Sequence, residues 1–459
     1  MPTPKTIFDK IWDAHLVQSA DGAVPLIDID YQLLTELDSA PAFERLRQSG
    51  REFLHPDRAV ATVDRNVSSK SAKTPEVEKL IQTLVENCRE NCIGCFGIGN
   101  VNQGLIHVVA PEQGIVQPGR IIVSSSRYAS TCGALGALAF QVNSIETERV
   151  LAEQSLPMEK PKSMEIRFDG SLPKGTSAKD LAFFALTKLS GQDYSSFAIE
   201  LTGAAVREMN MTGRLTLCCT LSALGASACM IAPDEKTVKY LKGRPHCPVP
   251  GPEFAQAASN WLRFRSDDSC QYDSSIQIDV SAVKPMVTWG TAPNQNAAID
   301  DPIPDPALLA DSSQRQSALD ALEFMGLQPG QKIDQTPIDA VFIGSCANGR
   351  LGDLREAAKV VKGYKCSPNV TAVISPGSGI VKMKAEAAGL DKIFLDAGFQ
   401  WGEPGSVQFE DPQPGQRIAS TGVSPLPANG ERIHLVSPVM AAAAAVTGKI
   451  TDFRNWEYK

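Results

Sequence analysis

The stretch VFIGSCANGR, residues 341–350, decides how this chain is read. The apolar run 340–343 stops at Gly344 and gives way to small and polar residues. Residues 351–362 then return at helical spacing, with Asp353 and Glu356 near their start. That order predicts a buried strand, a tight turn and a helix N-terminus. Backbone N–H groups in such a turn lie at the positive end of a helix and favour anions. Cys346 stands at the tip, where a thiolate would be stabilised; a buried packing cysteine at a strand end fits the same residues. A second glycine turn, PGSG at 376–379 after the strand 370–375, offers backbone amides to an anion in the same way. Asn348 and Ser378 join Cys346 as candidate substrate contacts.

Working outward, the strand–turn pattern recurs. Residues 59–63 read as a strand ending at Asp64-Arg65-Asn66. Arg65 cannot shuttle a proton, but it can grip a carboxylate bidentately; a surface salt bridge is the plainer reading. Residues 105–109 read as a strand carrying His107. The run IIVSSSRYASTCG, 121–133, is predicted to be a strand and polar turn ahead of an apolar helix at 134–140. Ser126, Arg127, Tyr128 and Cys132 there combine groups that bind a carboxylate, move a proton and offer a nucleophile. Glu200 falls on a strand at 197–201, after an earlier strand at 162–169. The N-terminal residues 5–16 carry Ile7, Phe8, Ile11, Trp12 and Leu16 at helical spacing and end near His15. A helix over 74–91 leads to Cys88, Cys92 and Cys95, whose spacing suits either core thiols or an iron–sulfur site. Cys218, Cys219 and Cys229 lie in a small-residue stretch, 212–231, read as helical.

Composition bounds the answer. With 459 residues the chain exceeds a single core and predicts two to four domains. Its 43% hydrophobic and 21% charged residues fit a soluble globular protein. A net charge of −8 argues against nucleic acid or an anionic membrane surface as partner. No apolar run reaches the length of a membrane span, and the N-terminus has no secretory core, so the cytoplasm is expected. Eleven cysteines, an odd number scattered along the chain, suit reduced thiols.

VFIGSCANGR resembles the cluster-cysteine segment of the aconitase superfamily, most closely the isopropylmalate isomerase large subunit. KTIFDKIWDAH, AFERLR, ATVDRNV, IHVVAPEQG, GALGALAF, TWGTAPNQ, PGSGIVK and HLVSPVMAAAAAVTG extend the likeness in family order over nearly the whole chain. The resemblance implies an α/β scaffold of three aconitase-like domains, at 1–165, 166–291 and 335–459, with a linker at 292–334. It matches His15 to the histidine that closes the family's N-terminal motif, places His107 and Glu200 at family positions near the active site, and retains Asp64 beside Arg65, where the family has a histidine. In the family the turn before Gly133 reads Gly-Asp-Ser-His-Thr-Ser-Thr-His-Gly. Aligned backwards from Gly133, Ser126 replaces the aspartate, Arg127 the serine, Tyr128 the first histidine and Cys132 the second.

The family also holds a 4Fe–4S cluster through one cysteine in this segment and two in a downstream Cys-x-x-Cys. Cys346 is retained, but WGEPGSVQFE at 401–410 puts Ser406 and Phe409 where the pair belongs. The arginine-bearing segment that follows in the family is replaced by TGVSPLPANG at 421–430. No cluster of the family type, no metal and no cofactor are therefore expected, and with them goes Lewis-acid help on the order of several kcal/mol. The chain ends at Lys459, without the family's mobile fourth domain. Either a small swivel-domain subunit is its partner or the site is complete without one.

The expected function is an iron–sulfur-independent lyase or isomerase acting on a carboxylate-bearing metabolite, in the setting of specialised metabolism. Arg65 and Arg127 would clamp the acid, and Tyr128, His107, Cys132 and Asp64 would carry the chemistry. Ser126, Glu200, Cys346, Asn348 and Ser378 would line the substrate. Double-bond migration, decarboxylation, elimination and cyclisation all remain open. Two alternatives stand beside it: a silent binding or regulatory subunit, and a hydro-lyase with a cluster rebuilt on Cys88, Cys92 and Cys95.

Overall fold

A computed structural model describes residues 3–18, 24–64, 74–405, 412–424 and 429–459. Arg65, Ser406 and Phe409 lie outside them. The chain separates into two compact units, residues 1–170 with 193–279, and residues 171–192 with 280–459.

In the first unit, short apolar runs pair into a parallel five-stranded sheet. Its strands are β1 (Tyr31–Thr35), β2 (Ala59–Thr62), β3 (Gly94–Phe96), β4 (Ile121–Ser124) and β5 (Leu138–Gln141), in the order β3-β2-β1-β4-β5. All four residues of β2 and of β4 are buried, as a parallel sheet covered on both faces requires. Helix α1 (Ile7–His15) is opened by a Thr6/Asp9 capping box and buries Ile7, Phe8, Ile11 and Trp12. These residues pack with Ile121, Val123, Leu138 and Phe140 in one apolar cluster. A second parallel sheet follows: β6 (Lys162–Asp169), β7 (Phe197–Thr202), β8 (Ala228–Met230) and β9 (Ser274–Asp279), in the order β8-β7-β6-β9.

The second unit is built on β10 (Ala340–Ile343), β11 (Thr371–Ile374), β12 (Gln400–Trp401), β13 (Arg417–Ser420) and β14 (Arg432–Leu435). They are all parallel, in the order β12-β11-β10-β13-β14. The helix Pro438–Thr447 has alanines at 441–445, all buried, and their small side chains let it lie close against the helix Leu351–Val361. Among the described residues no helix is long and apolar enough to cross a membrane.

Both five-stranded sheets wind alike: two strands are laid on one side of the first strand, then two on the other. The reversal leaves a crevice at the carboxyl end of that first strand, β1 or β10, the usual place for a ligand in a doubly wound sheet.

Four local expectations are corrected. His107 lies on a helix, α2 (Ile106–Gln113), not a strand, because the Asp64 carboxylate accepts from the Ile106 N–H at 3.3 Å and starts it. The helix expected at 134–140 is instead the end of a 3-10 run, Arg127–Leu135, followed by β5; Gly136, at φ 81°, breaks the two apart. In 212–231 the helix α3 (Met211–Leu221) stops before Gly225, at φ 72°, and Cys229 sits on β8. The segment read as a linker is folded. It holds a buried strand, Asn296–Ala298, and the helix Ser312–Met325, which is capped by Asp311 and buries Ala318, Ala321, Leu322 and Met325.

Candidate functional site

The carboxyl edge of the first sheet carries the densest polar set among the sequence candidates. Glu36, directly after β1, is wholly buried and accepts the Asp64 N–H at 2.8 Å. Asp64 in turn caps α2, so His107 is the second residue of a helix whose start a carboxylate fixes; it is 2% exposed. Past β4, the Ser125 hydroxyl donates to Asp38 at 2.9 Å and Ser126 caps the 3-10 run through the Tyr128 N–H at 3.3 Å. That run packs against α2. The exposed Arg127 donates from Nη2 to the Tyr128 hydroxyl oxygen at 2.8 Å, its guanidinium 5.0 Å from the ring centroid. The phenolic proton is thereby turned away from the guanidinium, and the pair presents one cation beside one O–H group.

Cys132 sits elsewhere on the same run. It has no exposed surface, and its neighbour Gly133 lies so close to β8 that an added Cβ would be 1.8 Å from the Cys229 carbonyl oxygen. That placement serves packing, and a nucleophile needs access that Cys132 lacks. Glu200, on β7, is held by Ser266 at 2.6 Å and Tyr272 at 2.8 Å. Burial pushes its carboxyl above the ordinary range against those two donors. His15 bridges the Ile11 carbonyl and Asp30, each at 2.7 Å, and Asp30 also accepts the Ile121 N–H. Burial alone would lower the His15 pKa, but Asp30 raises it; the histidine pins α1 to the sheet.

In the second unit the turn after β10 is laced shut. Thr421 Oγ1 accepts from the Gly344 N–H at 2.9 Å and donates to the Gly344 carbonyl at 3.0 Å. Ser345, at φ 77°, donates to the Thr421 carbonyl at 3.0 Å, and the buried Lys179 ammonium donates to that same carbonyl. Cys346 is 7% exposed within the four-residue helix Ser345–Asn348. The anion site expected at the next helix does not form. Asp353 reaches back to the Arg350 N–H at 3.1 Å and accepts from Asn348 at 3.2 Å, so the helix supplies its own carboxylate. Burial raises Asp353 to about 6, opposed by Arg350 and Asn348. Ser378 caps the helix Gly379–Ala387 through Val381 N–H at 3.1 Å. Ser378 is thus engaged by the backbone of its own helix, and Asn348 by the Asp353 carboxylate.

A sequence model of the aconitase family (aconitate hydratase) matches residues 9–448. The chain belongs to the aconitase family. Its α/β architecture of doubly wound sheets and its lyase or isomerase kind of chemistry follow from that membership. A solved structure of aconitase X from Thermococcus kodakaraensis, in its holo form, is similar at 12% identity, covering 98% of this chain and 92% of that one, with a TM-score of 0.47.

The aconitase cluster was tested against the donors present. Cys346 is the one cysteine of the turn, and the segment 401–410, where the resemblance would put the other two, contains none. Among the described residues no three His, Cys, Asp or Glu side chains gather to hold a metal. Cys88 and Cys95 hydrogen-bond to each other while Cys92 is exposed, at φ 57°. All eleven cysteines are thiols. Neither cysteine set fits a three-thiolate cluster site, and no step is drawn through one.

The sequence reading passed over Glu36 and Asp38. Acidic residues immediately after a buried strand were the available signal, in TELDS at 35–39.

Proposed function

We propose that this aconitase-family chain is a cluster-independent lyase or isomerase whose site is the carboxyl edge of the first sheet. Arg127 engages a substrate carboxylate by charge-assisted hydrogen bonds, and Tyr128 transfers a proton at the neighbouring carbon. Asp64 sets the start of α2 and so positions His107 as a second proton-handling group. The observation that carries the reading is the 2.8 Å contact joining Arg127 and Tyr128 on one capped turn, a cation and a proton donor side by side with the cation exposed. Proton transfer next to a clamped carboxylate suits double-bond migration, decarboxylation or an easy elimination. The likeness to the isopropylmalate isomerase large subunit extends the reading to branched hydroxy- or unsaturated diacids and to a small swivel-domain partner, which co-purification with the tagged chain tests.

The test is to incubate the full chain in deuterated buffer with a panel of hydroxy- and unsaturated mono-, di- and tricarboxylates and follow them by proton NMR. Enzyme-dependent deuterium uptake or product formation from at least one acid is expected. Saturable binding of an acid with neither exchange nor product would sink the catalytic reading and leave a silent binding subunit.

A further inference from the structure

A cavity of about 330 Å³ opens in the first unit at the carboxyl ends of β7 and β8. Leu201, Val206 and Ile231 form its apolar wall. Arg207, Arg214 and Arg265 face it, together with Glu200 and Asp234; the Arg127–Tyr128 turn is not part of its lining. Gly203, at φ 98°, lets β7 end here, because an added Cβ would lie 2.1 Å from the Phe168 carbonyl oxygen.

Arg214 is the informative residue. It projects from α3 and is 1% exposed. Its Nη2 donates to the Asp234 carboxylate and, at 3.3 Å, to the Arg207 carbonyl. Its Nε and Nη1 have no hydrogen-bond partner among the described residues. Those two nitrogens carry three of a guanidinium's five N–H groups. Charged donors left dry in a protein interior are costly, so an acceptor from outside the chain is called for, and the adjoining cavity is where it would sit.

Charge narrows the choice of ligand. Arg265 pairs with Glu235 at 3.1 Å, Asp234 is engaged with Arg214 Nη2, and Glu200 with Ser266 and Tyr272, which leaves Arg207 and the two open nitrogens of Arg214 facing the cavity. One carboxylate spans the two open nitrogens of Arg214, and the apolar wall asks for a hydrocarbon body. The volume lies at the small end of metabolite sites.

We propose that this cavity binds a small aliphatic monocarboxylate, its carboxylate on Arg214 Nε and Nη1 and its hydrocarbon body against Leu201, Val206 and Ile231. The site is separate from the one proposed above and does not rest on it.

The test is calorimetric titration and thermal shift of the full chain, and of its Arg127→Ala variant, with isovalerate, butyrate, butyramide and inorganic phosphate. Isovalerate and butyrate are expected to bind the Arg127→Ala protein at one per chain and raise its Tm, whereas butyramide and phosphate do neither. Ala232→Phe, which fills the cavity from a partly exposed position, and Arg207→Ala, on the surface, are expected to weaken isovalerate at least tenfold. The unliganded Tm of both should stay unchanged. Three results would overturn the proposal: no carboxylate binding, tighter binding of phosphate, or parental affinity in Ala232→Phe. A crystal structure in isovalerate with only ordered water on Arg214 Nε and Nη1 would do the same. If Arg127→Ala alone abolishes isovalerate binding, this pocket is refuted and the Arg127–Tyr128 reading is untouched. If binding survives there but no acid exchanges deuterium, the outcome is reversed.

Discussion

The two five-stranded sheets have the same strand order, but the side chains at their carboxyl edges differ in kind. In the first, three carboxylates (Glu36, Asp38 and Asp64) tie the loops after β1, β2 and β4 together, and an exposed arginine leans on a tyrosine beside them. In the second, Thr421, Ser345 and Lys179 close the turn after β10 on itself, and Asp353 satisfies the following helix. Winding order makes a crevice in both places; the side chains leave an exposed cation at the first edge and tie the second turn to itself. In this chain the segment that resembles the family's cluster site has become the sealed one.

The largest effect should come from the open edge. Arg127→Ala removes a charge-assisted contact worth about 1.5–3 kcal/mol, so KM for the substrate acid should rise about 10- to 100-fold with the melting temperature unchanged. An equal loss in Tm would make Arg127 structural and erase the distinction between the edges.

At the sealed edge, Thr421→Val strips both partners from the buried Gly344 peptide groups. Urea unfolding should show a loss of about 2 kcal/mol, and a change below about 0.5 kcal/mol would show that the turn is not held this way.

A pH series sharpens the contrast. Asp353 is raised from its ordinary 3.8 to about 6. A raised carboxyl binds its proton more tightly in the folded chain. Its contribution therefore favours folding below pH 3.8 and is lost as the pH rises through about 6. The loss is on the order of 3 kcal/mol. Asp353→Asn should flatten part of the profile; Asp180, which burial also raises to about 6, and Glu200, which burial raises as well, contribute with the same sign. An unchanged slope would remove Asp353 from the account.

The smallest effect is expected at Asp38→Asn, which weakens the partly exposed bonds from Ser125, at 2.9 Å, and Thr35, at 3.4 Å, in the first edge and should cost less than about 1 kcal/mol. A larger loss would mean that this edge is held as tightly as the other.

The apolar runs that became β2, β4 and β10 were legible in the sequence, because burial on both faces writes itself as a continuous hydrophobic stretch. The turn after β4 was legible for the same reason, its strand being plain. What did not show were features set from a distance. His107 sits on a helix because Asp64, far back in the chain, caps it. The turn at Cys346 is closed by Thr421, a partner the local pattern does not contain. Residue Asp353 was visible at its position, but its use as an internal cap depends on a backbone angle at Arg350 that residue type alone does not set.

The most direct test of an open first edge and a sealed second one is the deuterium-exchange assay run on two variants, Tyr128→Phe and Cys346→Ala, under anaerobic conditions. The account predicts a fall of about 100-fold or more in exchange for Tyr128→Phe and a rate within a few-fold of the parent for Cys346→Ala. Full activity in Tyr128→Phe with exchange lost in Cys346→Ala, accompanied by iron in the parent protein, would contradict it.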